Sequence, residues 1–253
     1  MAFFEMHIFS KALGMQTTVN VLIPQRSTDG EIGVVNNAGE KEYKCLYLLH
    51  GLSDDHSIWL RRTSIERYAS KYGICVVMPC AGKSFYTDMK YGEGYYTYIS
   101  QELPSLMREY FRVSSRREDN AVAGLSMGGY GALKIALRNS DSFSAAAGLS
   151  SVADIANSEG WIKDCLIPVF GDEVIVPPDE DLFALAEKTS YKANKPRLYM
   201  AVGRGDGFCE ANRRLSEKLD SLGYELKYDE AEGGHDWEFW DEYIQKAMEW
   251  IFG

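Results

Sequence analysis

Apolar residues follow two rhythms along this chain, and the rhythms keep exchanging places. Near the start, "EMHIFSKALG" and "QTTVNVLIPQ" alternate or run β-branched and predict an antiparallel pair of strands. "KCLYLLHG" and "ICVVMPCA" are short continuous apolar runs, as expected of parallel strands buried on both faces. "NAVAGLS", "FSAAAGLSS", "RLYMAVGRGD" and "YELKYDEAEGG" complete the predicted strands. Helical spacing appears in "SIWLRRTSIERYASKYG", which stops at Gly73, a natural C-cap. It returns in "YTYISQELPSLMREYF", where Pro104 marks an end or a bend. The remaining predicted helices are "GYGALKIALRN", "EANRRLSEKLDSLG" and "DWEFWDEYIQKAMEWIF". Arg26 to Glu42, polar and rich in Gly and Asn, reads as a loop.

Strand and helix therefore alternate almost throughout. That rhythm predicts an α/β protein: one doubly wound, mostly parallel sheet covered by helices through right-handed crossovers. No repeat or linker divides the chain, so residues 1–253 read as a single domain. The exception is Val152 to Lys195, which is too long for an ordinary connection. A segment of that length in a compact domain is expected to be a small cap or lid.

Composition narrows the function. Of the 253 residues 45% are hydrophobic and 25% charged, which suits a soluble globular protein with a sizeable core. Lys+Arg 27 against Asp+Glu 37 leaves a net charge of -10, which argues against nucleic acid or an anionic membrane as a partner. The amino terminus has no basic region and carries Glu5 in its apolar run, so no signal peptide is predicted, and no stretch is long enough to span a membrane. The five scattered cysteines suit reduced thiols in the cytoplasm, and none has zinc-ligand spacing. Neither a metal nor a cofactor is expected. A homo-oligomer is compatible with these numbers and is not required by them.

The chemistry gathers where a strand meets a helix. Gly124-Leu125-Ser126-Met127-Gly128 fits G-x-S-x-G, the nucleophile elbow. The turn is so tight that side chains two residues either side of the serine would strike neighbouring backbone, hence the two glycines. The serine is expected in a strained conformation that lifts its Oγ clear of the sheet. By itself the pentapeptide is weak, since roughly one chain in ten of this length contains it by accident. Its place between strand and helix is what gives it meaning.

A serine hydroxyl needs a base, and the base needs an orienting acid. His7 lies in the first strand, while His50 and His56 lie at and beyond the end of "LYLLHG". His235, in "EGGHDW" after the last strand, is the only histidine after Ser126 and fits the order Ser, acid, His. Asp206, ending "RLYMAVGRGD", is the expected acid; Asp154 is the fallback, and Asp236 adjoins the ring and points away. The oxyanion amides are expected at Met127, just after the nucleophile, and at Leu52, just after Gly51.

"LLHGLSDDHSIW", "GLSMGGYGALKIAL", "GRGDGFCEAN" and "GGHDWEFW" together resemble the putative-esterase (esterase D-like) family of α/β-hydrolases, within it the tributyrin esterase and feruloyl or acetyl esterase group. The resemblance runs from the first buried strand to the last helix. It implies an α/β-hydrolase fold and a metal-free serine esterase with triad Ser126, Asp206 and His235 and oxyanion amides at Leu52 and Met127. Its implied substrates are short acyl or hydroxycinnamoyl esters, hydrolysed through an acyl-enzyme. One departure is Gly207 before Phe208, where family members often carry bulk. The rival readings are a thioesterase resembling S-formylglutathione hydrolases and a non-catalytic binding protein that keeps the fold. The thioesterases often carry "SGLTC" where this chain has "HGLSD".

Aromatic residues make up 13% of the chain, and Trp59, Tyr95, Tyr96, Trp161, Phe208 and Trp237 fall near predicted active-site loops. Of these, Trp59, Tyr95, Trp161 and Phe208 are the candidate substrate contacts, able to stack on a ring or a sugar face. Trp161, in the long insertion, is the strongest of them.

Overall fold

The computed structural model describes residues 1–25 and 42–253. The loop predicted from Arg26 to Glu42 lies, except for Glu42, outside the described residues. β1 (Ala2–Ser10) and β2 (Met15–Ile23) form the antiparallel pair. After them come β3 (Cys45–Leu49), α1 (Ile58–Arg62), α2 (Ile65–Tyr72) and β4 (Cys75–Pro79). The next helical stretch is α3 (Tyr95–Thr97), a π turn (Tyr98–Glu102) and α4 (Leu103–Tyr110). β5 (Asn120–Leu125), α5 (Met127–Arg138) and β6 (Ala145–Leu149) form the centre. α6 (Gly160–Phe170), α7 (Leu182–Ser190), β7 (Arg197–Gly203), α8 (Cys209–Ser221), β8 (Leu226–Ala231) and α9 (Trp237–Phe252) complete the order.

The eight strands make one sheet in the order β1-β2-β4-β3-β5-β6-β7-β8. β1, β2 and β4 pair antiparallel, and every other pairing is parallel. Side chains alternate across it with period two. Tyr47 and Leu49 of β3 point into a layer built with α4, α5, α7 and α8, while Leu46 and Leu48 meet α1, α2 and α9. Both faces are thus covered, which explains the continuous apolar runs.

Two elements depart from the periodicity. "SIWLRRTSIERYASKY" reads as one helix but breaks at Thr63, which is extended at φ -136°. The Thr63 hydroxyl donates to the Trp59 carbonyl at 2.6 Å and accepts the Ile65 amide at 3.1 Å, offering the backbone a partner other than the helix. The bend expected at Pro104 takes the form of the π turn just before it: proline has no N–H for the carbonyl four residues back, and the turn widens. Gly73 caps α2 in the left-handed region at φ 62°, as its position predicts.

Residues 152–195 make the connection from β6 to β7. Its second helix, α7, is the crossover itself, packed on α5 and α8. Its first half holds a 3-10 turn at Ile155–Asn157 and α6. The end of α6 is tied to the loop after β4, because the Lys90 and Tyr91 amides both donate at 2.9 Å to the Val169 and Pro168 carbonyls.

Candidate active site

The elbow forms at the carboxyl end of β5, near the middle of the sheet. Ser126 sits at φ 54° and ψ -116°, a backbone conformation that L-residues avoid. Its amide donates to the Leu149 carbonyl at 2.8 Å and its carbonyl accepts from Tyr130 at 3.0 Å, so both sides of the turn are pinned. The glycines are sterically required. A Cβ at Gly124 would stand 2.4 Å from the Gly128 carbonyl oxygen, and one at Gly128 would stand 2.5 Å from that of Leu49. Those atoms are backbone and cannot give way.

Two further loops converge on this hydroxyl. The turn after β7 carries Asp206 and the turn after β8 carries His235. They lie against each other because Gly203 and Gly233 allow it: a Cβ on Gly203 would fall 2.4 Å from the Gly233 carbonyl oxygen. The same oxygen accepts the Gly205 amide at 2.9 Å. Gly233 itself adopts φ 143°. The result is a continuous path, with His235 Nε2 3.1 Å from Ser126 Oγ and His235 Nδ1 2.8 Å from Asp206 Oδ2.

Asp206 is held as an anion. Burial alone would raise its pKa, but the hydrogen bonds from His235 and the Phe208 amide, the His235 ring's charge and a bond from Ser150 outweigh it. The carboxyl stays below its usual 3.8. The Phe208 amide reaches Oδ1 at 2.9 Å, which leaves Oδ2 for the ring. An imidazole so oriented presents Nε2 to the serine and can take its proton. Two aromatic edges fix the plane of the ring: Phe208 with centroids 5.3 Å apart, and Trp240 at 4.9 Å and perpendicular. Trp240 is fixed in turn by its indole N–H, which donates to Ser150 Oγ at 3.1 Å.

The Met127 amide is the first of α5, where an N–H has no acceptor inside the helix. The Leu52 amide likewise meets no acceptor among the described residues. Its direction is set by His50, a buried residue at the end of β3. His50 Nε2 accepts the Ala81 amide at 2.9 Å, so its proton sits on Nδ1 and goes to the Gly51 carbonyl at 2.7 Å. In a trans peptide the carbonyl and the next N–H point in opposite directions, so this bond turns the Leu52 N–H away from His50. Burial lowers the His50 pKa below 6.5, against the smaller pull of the Gly51 bond, and keeps the ring neutral. Tyr86, at φ 54°, adds a bond from its hydroxyl to the His50 carbonyl at 2.9 Å.

The sequence-predicted residues divide here. Ser126, Asp206 and His235 come together, with Phe208 on the ring of His235. Trp59 does not join them. It is 1% exposed, donates to the Leu49 carbonyl at 3.0 Å and packs edge-on to Trp237, so it is a core residue and offers no face to a ligand. Its apolar helical position carries the same signal as a binding residue would, which is why sequence alone misassigns it. Tyr95 is half-buried, with its hydroxyl beside Gly82. Trp161 is 64% exposed at the start of α6 and makes no ring contact among the described residues. Asp154 is bound to Arg214 at 2.6 Å, away from the histidine, and Asp236 caps α9 through the Phe239 amide at 3.0 Å. Sequence reasoning passed over His50, Ser150, Tyr86 and Trp240. Only His50 carried a signal, a histidine at the end of an otherwise apolar strand.

Comparison with known proteins decides the family. A family model described as Putative esterase matches residues 10–251. The chain belongs to the Putative esterase family. It is 34% identical over 263 residues to an acetyl esterase of Caldicellulosiruptor saccharolyticus, covering 99% of this chain and 98% of that protein. Among solved structures it resembles FphF, a fluorophosphonate-binding serine hydrolase of Staphylococcus aureus in its substrate-bound form. That likeness has a TM-score of 0.88 and 30% identity, covering 100% of this chain and 98% of the other. It also resembles FrmB, an S-formylglutathione hydrolase of Staphylococcus aureus, with a TM-score of 0.86, 31% identity and coverage of 100% and 99%. The fold is that of the α/β-hydrolases, and this family member is a carboxylic ester hydrolase. Among the described residues no helix is long and apolar enough to cross a membrane.

Proposed function

We propose that the chain is a serine carboxylesterase that cleaves short-chain acyl esters through an acyl-enzyme. The observation that carries this is the hydrogen-bonded path from Ser126 through His235 to Asp206, set on a serine with φ 54°. His235 takes the Ser126 proton as Oγ attacks the ester carbonyl. The negative charge that develops on the carbonyl oxygen goes to the Met127 and Leu52 amides. Collapse expels the alcohol, which takes the proton back from His235. Water then attacks the acyl carbon as the same ring takes its proton, and as the Oγ–acyl bond breaks and the acid leaves, that proton returns to Ser126 Oγ. Asp206 holds the ring's orientation and stabilises its cation, and it stays ionised throughout.

The acyl group is proposed to be acetyl or similarly short, on the strength of the acetyl esterase relative. Hydroxycinnamoyl esters are the second class: Phe208 stands beside the reactive ring, and Gly207 has nothing within 4 Å of where its Cβ would be. Room there suits an aromatic group. The 3-10 turn and α6 are the proposed cap, with Trp161 as its contact to a bulky substrate. A cytoplasmic setting is supported by buried thiols at Cys45, Cys75 and Cys209.

A thioesterase is the second reading, favoured by the likeness to FrmB. Comparing kcat/KM for p-nitrophenyl acetate, a feruloyl ester and S-formylglutathione separates the two. An esterase prefers the oxygen esters. Preference for the thioester would move the chain to the second reading, and no turnover of any of them would overturn both.

A further inference from the structure

We infer that two copies of this chain join edge to edge through β1, making one continuous sheet across a two-fold axis that passes through Met6. β1 is the first strand in the sheet order, bonded to β2 on one side over all nine of its residues. No described strand pairs with its other side. An edge of this length normally carries a device against association: a proline, a lysine, or a bulge. β1 has none. Its sequence is "AFFEMHIFS", and its register against β2 runs without a break from Ala2↔Ile23 to Ser10↔Met15. Its turn is also braced, since Glu102 accepts Ser10 Oγ at 2.6 Å and the Lys11 amide at 2.7 Å.

The register of such a dimer follows from geometry. In an antiparallel strand, alternate residues direct their N–H and C=O to the same side, so a strand can pair with its own copy only where facing residue numbers sum to an even number. Full overlap of Ala2–Ser10 with itself selects the pairing centred on Met6. Phe3 then faces the partner's Phe9, and Glu5 faces the partner's His7. All four positions point to solvent from one side of the strand, with Phe3 50% and Phe9 60% exposed. An aromatic therefore meets an aromatic, and a carboxylate meets an imidazole, both favourable cross-strand pairs. Within one chain Glu5 already lies 3.6 Å from His7, so the axis would gather two carboxylates and two imidazoles in alternation. On the other side of the strand, Phe4 would face the partner's Ile8, flanked by Phe111 at a ring distance of 5.3 Å. A stretch whose two halves complement each other about its own midpoint points to a second copy as the occupant. The Ser126 site, with its loops after β7 and β8 at the far end of the strand order, stays open in this arrangement.

The test is sedimentation velocity on the full chain over a dilution series. The wild type is expected to be a dimer. Glu5→Lys places lysine against the partner's His7, and His7→Glu places glutamate against the partner's Glu5. Each weakens self-association by about tenfold or more, because the symmetry repeats the mismatch. Mixing the two variants restores both contacts and should recover a dimer. Both positions are exposed and remote from Ser126, so unchanged esterase activity reports intact folding. A wild-type monomer throughout the series, a dimer that neither variant weakens, or no recovery on mixing would each overturn the inference. None of these outcomes depends on which ester the enzyme prefers.

Discussion

The two ends of α5 carry two polar clusters with similar ingredients and different fates. At its first turn, Ser126 meets His235 and Asp206. Two turns on, fully buried Lys134 meets Glu180, at 2.6 Å, with Thr87 Oγ1 at 2.6 Å and the Phe85 carbonyl at 3.1 Å. Arg138 holds the other oxygen of Glu180 at 2.5 Å, and the Tyr130 hydroxyl donates to its carbonyl at 2.6 Å. Burial lowers the Lys134 pKa to about 8, against the pull of Glu180. All three ammonium protons are used, so nothing remains to offer a substrate. At the elbow the ring of His235 is open to solvent on one side, and two amides have no acceptor among the described residues. A sealed and saturated cluster holds architecture together, whereas an open and unsaturated one can do chemistry.

That contrast can be broken at several points. Ser126→Ala should leave the fold intact and lower kcat by roughly 10³-fold or more, measured on p-nitrophenyl acetate. Lys134→Met should do the reverse. It leaves Glu180 short of a partner and costs about 3 kcal/mol or more of stability in chemical denaturation. Adding Glu180→Leu should recover part of that loss. A fall in kcat for Lys134→Met as large as that of Ser126→Ala would erase the distinction between the two regions.

His50→Phe tests a residue that belongs to both descriptions, buried like Lys134 and aimed at the elbow. Without its bond to the Gly51 carbonyl the Leu52 amide is no longer directed, and kcat should fall by about 10²-fold with little change in KM. It should also change the acid limb of stability. Below pH 6.5 the unfolded chain protonates His50 while the folded chain, whose His50 pKa is lowered by burial, does not. Stability therefore falls as pH drops from 6.5 toward the folded value. Thermal unfolding of His50→Phe should show a shallower fall across that window. The smallest effect is expected at the proposed cap: Trp161→Ala should weaken turnover of a feruloyl ester by about 1–3 kcal/mol and leave p-nitrophenyl acetate unchanged. Equal loss on both would make Trp161 part of the scaffold.

Much of this was legible in the residues. Continuous apolar runs identify the parallel strands because burial on both faces leaves no room for alternation. Gly124 and Gly128 identify the elbow because only glycine clears the backbone there. Chain order and strand ends point to Asp206 and His235, the two residues that line up with Ser126 in the fold. What was not legible depends on contacts between distant segments. Thr63 breaks a helix by turning its hydroxyl on the backbone, while Ser150 and Trp240 support Asp206 and His235 from elements that touch only in the folded chain. Trp59 looked like a binding residue and is core, because an aromatic at helical spacing reads the same in either role.

The central claim is that Ser126 is an activated nucleophile. Intact-protein and peptide mass spectrometry after exposure to a fluorophosphonate tests it most directly. One adduct should form per chain, on Ser126, absent in Ser126→Ala and much slower in Asp206→Asn, where the ring loses its ionised partner. No adduct, or one located on another residue, would contradict the account.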